Sequence, residues 1–569
     1  MCKLGKLLAM TLVLAMLMSM TGLTAIAQAE TYREPITITV FDELANFAGE
    51  QPGWFGKILK DKFNITMNII STNLDQNAYQ TRMASGDLGD MVMFGAAGDH
   101  LVNAINANML LDWEEIGYEE YENINAYTKE AMAKISTFVK NATGKEGVWG
   151  FGQDIGYDRE GWDVVIEPNY GAQVRWDAYV KAGYPKLETI DDLVPFLKAL
   201  QEAVPVNDKG EKVYAYGGFP DWEDCVMKFT WDLMTWYGYS EQDFLGVNWA
   251  TGDVVNPLEE SSLYKKMLSV NNKLYREGLF DPESISQNFD AYSLKVDAGR
   301  YLMGLWGWKM KAYNTQERMD QGIGFVTMGL KDDAPVVSGT APFGGERVWA
   351  IGANCKYPER VLELIDWLCS TEGIMTYHNG PQGLTWDYDE NGQPYGTEFG
   401  WKAWKDEMNT DVPAEFGGGK YSDGKCALNN TTILLNAIDP EGGFCYNHDA
   451  WPDGIAKLQN TLMDEWSEKY ASGAKTGVEY LRQTGRFSLH PATQYAIADR
   501  PEDIKTKRAQ LAPVMKEYSW KCVYAQSDEE FETLWKEMVD KCKAFGYDDV
   551  VNFYMGEIQN KLAAIKEGK

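Results

Sequence analysis

Trp306 and Trp308 stand on either side of Gly307 at the end of the run Val296 to Met310, V-D-A-G-R-Y-L-M-G-L-W-G-W-K-M. Paired indoles do the chemistry of binding, not of bond making. On an extended segment both would point to one side, because strand side chains alternate. Gly307 leaves the backbone between them open to close approach. Two indoles left in water forgo roughly 2–3 kcal/mol each, at about 100 Å² apiece and about 25 cal/mol/Å². The pair is therefore either core or the floor of a binding site.

A second constellation is Asp387, Asp389 and Asn391 with Gly392 and Glu398. It fits the D-x-[DN]-x-[DN]-G-x₅-E calcium loop. Pro394 stands where such a loop uses a backbone N–H, and the same stretch reads as a hairpin turning at Asn391-Gly392. We expect the hairpin, with calcium as the lesser reading. The four histidines, His100, His378, His448 and His490, are scattered without metal-ligand spacing. No G-x-S-x-G nucleophile elbow occurs. Gly150 to Gly156 lacks the dinucleotide spacing and reads as a turn. No cofactor is expected.

The chain that must position these groups begins as an export signal. Lys3 and Lys6 precede an apolar run, Leu7 to Met20, and Ala27-Gln28-Ala29 matches a cleavage site. The expected mature protein starts at Glu30 and is soluble outside the cytoplasm. Of 569 residues, about 540 then remain, enough for two or more cores. The net charge of −31 repels nucleic acid and anionic lipid. Seven cysteines beyond Cys2, an odd number in so long a chain, are no disulfide scaffold. Zero to two bridges are expected.

The mature chain opens with strand, helix, strand, helix, strand: Ile36 to Val40, Trp54 to Phe63, Ile65 to Ile70, Tyr79 to Ser85 and Asp90 to Phe94. That order implies a parallel sheet with crossover helices. Ligands of such sheets sit beyond the carboxyl ends of the strands. Phe41 to Phe47 and Gly95 to His100 are therefore expected to face a cleft. Farther on, Thr189 signals a helix start, Ser261 to Gly278 a helix with a glycine stop, and Pro358 to Ser370 a helix with proline at its first turn. Residues 386–452 are loop-rich, and Asp528 to Ile565 is helical.

Several local patterns agree on a family. Ala84-Ser85-Gly86-Asp87-Leu88-Gly89-Asp90-Met91-Val92 resembles the S-G-D-x-P-D motif of extracellular solute-binding proteins of ABC importers, with Gly89 replacing the usual proline. Arg175-Trp176-Asp177, with Gly183, Pro185 and Glu188 to Leu193, resembles that family's R-x-D-W … G … P-x-T-x-D-E-L segment. Glu277 to Glu283 resembles its E-G-L-x-D-P-E turn. Pro358-Glu359-Arg360 with Asp366-Trp367-Leu368 and Glu372-Gly373, and then the tail Asp528 to Tyr554, resemble its later helices. The five motifs occur in order over most of the mature chain.

The resemblance implies an α/β, two-lobed periplasmic-binding-protein-like fold with a hinge and a ligand cleft between lobes. The expected division is 1–29 signal peptide, 30–158 and 346–384 lobe I, and 159–345 and 385–569 lobe II. It further implies a monomeric receptor that captures a carbohydrate, an oligosaccharide, and delivers it to the membrane subunits of an ABC importer. In sugar-binding members an aromatic after a G-x-x-A-M strand lies against the sugar; Gly299, Met303, Trp306 and Trp308 sit at that pattern. Pro220-Asp221-Trp222-Glu223 lies where another aromatic and an acid are presented.

Sugar pockets combine aromatic faces with a few placed polar groups. The candidates are Trp306, Trp308 and Trp222, with Asp221, Glu223, Asp42, Asn46 and Asp99 as hydroxyl acceptors or as solvated residues and caps. Arg175 either pairs a ligand carboxylate through its planar fork or forms an ion pair with Asp177. Glu346-Arg347 is either a hinge salt bridge or a ligand contact. The rival readings are a secreted glycan-cleaving enzyme, which needs a positioned carboxylate pair, and a carbohydrate-binding surface protein that does not close.

Overall fold

The computed structural model describes residues 33–567 except 73, 76, 157–167, 339–342, 346, 406–409, 492, 494 and 496–499. The export signal and Glu346 lie outside the described residues. Among those described, no helix is long and apolar enough to cross a membrane.

The alternating opening segment forms β1 (Ile36–Asp42). The short β2 (Gly49–Glu50) leads into α1 (Gly53–Phe63), followed by β3 (Ile65–Ile70), α2 (Ala78–Ser85), β4 (Met91–Phe94) and α3 (Asp99–Asn106). After the helical stretch to Thr143 comes β5 (Phe151–Gly152). The chain then enters a second body. There it forms β6 (Tyr170–Arg175), α4 (Lys228–Met234), β7 (Ser240–Gln242), α5 (Leu263–Arg276), α6 (Phe289–Asp297), β8 (Met303–Trp306), α7 (Gly307–Met310) and β9 (Phe325–Met328). It returns through β10 (Val348–Ile351), α8 (Pro358–Cys369) and the hairpin β11 (Trp386–Tyr388) and β12 (Pro394–Gly396). Its last passage gives α9 (Glu502–Tyr524), α10 (Asp528–Ala544) and α11 (Tyr547–Lys566).

The first body is built on a six-stranded sheet ordered β2-β3-β1-β4-β10-β5, with β1 parallel to both β3 and β4. Strand alternation divides its two faces cleanly. Ile38, Val40, Met91, Met93, Trp349 and Ile351 pack with Trp54 and Leu59 of α1. Phe41, Val92, Phe94, Val348 and Ala350 pack on the other face with Tyr79 of α2 and Leu101 of α3. The second body carries the three-stranded antiparallel sheet β8-β6-β9 and one large core that includes α4, α5, α9 and α10.

Core membership corrects one boundary. Residues 385–569 were expected in the second lobe, yet Trp386, Ala403, Tyr421, Ile433, Tyr446 and Trp451 all pack in the first core. The return to the second core begins at Leu462. The chain thus passes between the bodies three times. The seven described cysteines are thiols, five of them buried. Burial pushes the thiols of Cys355, Cys522 and Cys542 up to about 12.

Candidate functional site

The aromatic segment departs from the expected extended form. β8 ends at Trp306, and α7 begins at Gly307. A side chain at Gly304 would strike Met310, so glycine there lets the helical turn fold back on its own strand. The two indoles therefore differ: Trp306 is 3 % exposed and Trp308 is 43 % exposed. They still stack, with ring centroids 6.0 Å apart and planes 20° apart.

Trp222, also 43 % exposed, completes a platform of three indoles. Its ring lies 6.2 Å from Trp308 at 29° and 5.6 Å from Trp306. Phe289, at the start of α6, supports it at 4.4 Å. Beneath the platform, Trp306 packs on Phe219 and Phe229. Asp221 fixes the loop by accepting the Phe289 backbone N–H at 2.8 Å. Glu223 accepts the Trp520 indole N–H at 2.9 Å, anchoring the same loop to α9. Burial pushes its carboxyl up to about 8.

Polar groups lie close behind. Trp306 pairs in register with Tyr170 of β6. Lys228 on α4 reaches the fully buried Asp232 at 2.6 Å. Burial raises the Asp232 carboxyl, and the Lys228 charge opposes that rise. Glu241 on β7 is pushed up to about 8 by burial, against the pull of Lys228. These groups were not singled out in the sequence; an i, i+4 Lys–Asp pair on a short helix ordinarily reads as a solvated face.

The lobes touch beside the platform. Lys505 of α9 reaches Asp99 of α3 at 3.1 Å. One helical turn on, Arg508 binds Asp224, two residues from Trp222. Lys311, just past α7, reaches Asp449 of the first body at 3.1 Å. The Lys505–Asp99 and Lys311–Asp449 pairs cross between the lobes, while Arg508–Asp224 lies within the second lobe and ties the Trp222 loop to the helix that carries Lys505.

Other sequence candidates have structural duties. Arg175 is buried and grips Asp177 with two hydrogen bonds, 2.7 and 2.6 Å, while its guanidinium lies over Tyr313. Its fork is occupied by an internal acid, not held open for a ligand. Asp42 is 1 % exposed and accepts the backbone N–H groups of Leu44 and Asn429. It ties β1 to a distant loop. Asn46 is exposed on the loop after β1.

The expected hairpin forms, with Asp387 opposite Tyr395. Asp389 accepts the backbone N–H groups of Asn391 and Gln393, and Asp387 accepts the Gln382 amide. Glu398 opens the helix that follows. Of the carboxylates at positions one and three of the calcium pattern, Asp389 holds the turn and Asp387 holds the Gln382 amide. Elsewhere, Asp224, Cys225 and Asp243 converge, but Arg500 and Arg508 already neutralise that group.

The chain matches the family model of bacterial extracellular solute-binding proteins over residues 54–386, more than half its length. No curated protein sequence matches it. Three solved structures align along nearly their whole length. The alginate-binding protein AlgQ2 without calcium ion is 15 % identical, covers 92 % of this chain and 98 % of its own, and has a TM-score of 0.60. An extracellular solute-binding protein from Bifidobacterium longum subsp. infantis is 15 % identical, with coverages of 93 % and 99 % and a TM-score of 0.61. The S. pneumoniae ABC-transporter substrate binding protein FusA in complex with kestose is 15 % identical, with coverages of 94 % and 100 % and a TM-score of 0.60. At such identity the likeness is one of fold, and the fold is the two-lobed one described above. The matched segment runs from α1 of the first lobe through the whole first passage of the second, and on this ground the chain belongs to the bacterial extracellular solute-binding family.

Proposed function

We propose that this protein is an exported receptor that captures an oligosaccharide between its lobes and delivers it to the membrane subunits of an ABC importer. The observation that carries the reading is the exposed pair Trp222 and Trp308, backed by buried Trp306, on a lobe that ion pairs join to the first. Large aromatic faces left open on a folded surface mark a recognition site. The faces of sugar rings suit them, and the acids around them suit sugar hydroxyls. FusA, of the same fold, was solved with kestose, and another relative in fold, NgtS of Streptococcus pneumoniae, with Man5GlcNAc. Binding and lobe closure would be the whole mechanism, a hinge motion about a bound solute.

The test is a thermal-shift panel of oligosaccharides differing in length and charge, with product analysis on every positive. Stabilisation without product supports the receptor. Turnover of any member would overturn it in favour of the glycan-cleaving enzyme. Small-angle scattering then asks whether the molecule contracts with sugar; binding without contraction would point to a surface protein that does not close.

A further inference from the structure

The first lobe offers its own recognition element, and it stands at the point where the sheet topology changes direction. From β1 the chain turns to α1 on one face of the sheet; from β4, the neighbouring strand, it turns to α3 on the other. Divergent connections from adjacent parallel strands open a crevice beyond their carboxyl ends, where α/β sheets bind ligands. Glu43 is the first residue past β1, and His100 lies on the first turn of α3 after β4. They meet across that crevice. Glu43 Oε1 lies 2.6 Å from His100 Nδ1, and Glu43 Oε2 accepts the Gly95 N–H at 2.6 Å. A side chain at Gly95 would press on Glu43 and Leu44, so glycine gives the carboxylate its approach.

The imidazole is held at its Nδ1 edge by Glu43 and on one face by Tyr79. Its ring stacks on Tyr79 at 3.6 Å with planes 14° apart, and the Tyr79 hydroxyl donates to the His100 carbonyl at 3.0 Å. The Glu43 side chain is 9 % exposed, whereas that of His100 is 44 % exposed. A carboxylate on Nδ1 fixes the tautomer and the ring orientation. No described residue takes the Nε2 edge. The adjacent Asp99 is the residue that meets Lys505 of the second lobe, so this edge lies where the two lobes come together.

We propose that His100, positioned by Glu43 and Tyr79, is the first lobe's ligand contact, its Nε2 bonding a hydroxyl of an oligosaccharide whose ring faces rest on Trp222 and Trp308. The inference rests on the receptor reading above and adds to it a division of labour: the second lobe reads faces, the first reads hydroxyl direction. Lock-in of the imidazole before binding removes the ordering cost that a free side chain would incur.

The experiment is calorimetric titration of wild type and three variants with gluco-, manno- and fructo-oligosaccharides of two to five units. His100→Ala should weaken every sugar that wild type binds by about tenfold, one well-placed hydrogen bond. Its unliganded melting temperature should stay within about 3 °C, as for a partly exposed residue. His100→Gln places an amide near the former Nε2 and should recover most of the affinity; His100→Asn mimics only Nδ1 and should not. Unchanged affinity in His100→Ala overturns the inference alone. Equal losses in the Gln and Asn variants, each with a lowered melting temperature, overturn it too, since that marks a structural residue. Wild type binding no member overturns the receptor reading, and this inference with it.

Discussion

In the proposed cleft the first lobe presents polar side chains just beyond parallel strands, Glu43 on the turn after β1 and His100 on the first turn of α3, whereas the second presents indoles at the end of an antiparallel strand. The contrast follows from the sheets. A parallel sheet covered on both faces exposes only its strand ends, and the loops there are short and polar. A small antiparallel sheet has an end that aromatic side chains can cap, provided a larger core lies behind them. Within the second lobe the contrast repeats on a finer scale, because Trp306 is held by packing and Trp308 by little beyond its stacking partners.

The largest effects should come from the buried groups. Asp177→Ala leaves the buried Arg175 without its carboxylate and should cost about 3–5 kcal/mol in chemical denaturation. A small loss would mean that Arg175 finds another acid and is available to a ligand after all. Trp306→Ala should cost a similar 3–5 kcal/mol by emptying the platform's support. Trp308→Ala and Trp222→Ala sharpen the comparison from the other side. Each should cost under about 1 kcal/mol of stability yet weaken oligosaccharide binding by tenfold or more in calorimetry, as buried aromatic contacts in binding sites do. The reverse pattern, stability lost and binding kept, would make both indoles core.

Protonation supplies a smaller test on the second lobe. Glu223 and Glu241 hold protons up to about pH 8 when folded, against an ordinary value of 4.5. The folded chain therefore binds more protons than the unfolded one between these limits, and stability falls as pH rises through that window. Compared with Glu223→Gln/Glu241→Gln, wild type should lose stability steadily from about pH 4.5 to 8 in parallel melts; parallel curves would contradict the burial of these acids. The smallest effect is at the contact between lobes. Asp99→Asn removes a half-exposed ion pair worth about 0.2–1 kcal/mol. It should lessen the salt sensitivity of the unliganded protein's scattering radius, the Lys311–Asp449 pair keeping the remainder.

Periodicity exposed the regular parts of this molecule. Strands β1, β3 and β4 and helices α1 and α2 follow from alternation and helical spacing; Thr189 and Pro358 mark helix starts that the structure keeps, and the start expected at Ser261 falls at Leu263, capped by Ser262. Three features stayed hidden for physical reasons. Residues 386–451 are mostly irregular, and an irregular segment carries no periodic face to say which core it joins. α9 has buried residues around much of its circumference and carries Pro513 inside, so neither an apolar stripe nor an unbroken run announces it. The turn at Gly307 spans four residues, too few for a pattern, which is why Trp306 and Trp308 read as one strand. Of the proposed site, the three tryptophans were singled out in the sequence from type and context. The Glu43–His100 pair was not, because 57 residues separate its members and only the sheet order brings them together.

The cysteines carry a practical consequence. Cys225, Cys522 and Cys542 belong to the second core, and Cys369 to the first, with Cys426 packed against it. Cys225, Cys369, Cys522 and Cys542 are buried and so shielded from reagent until their own lobe opens. Their alkylation, read peptide by peptide, would time the opening of each half separately. The chain thus contains two internal clocks, one per lobe, and a bound solute that ties the halves together should slow both to a common rate.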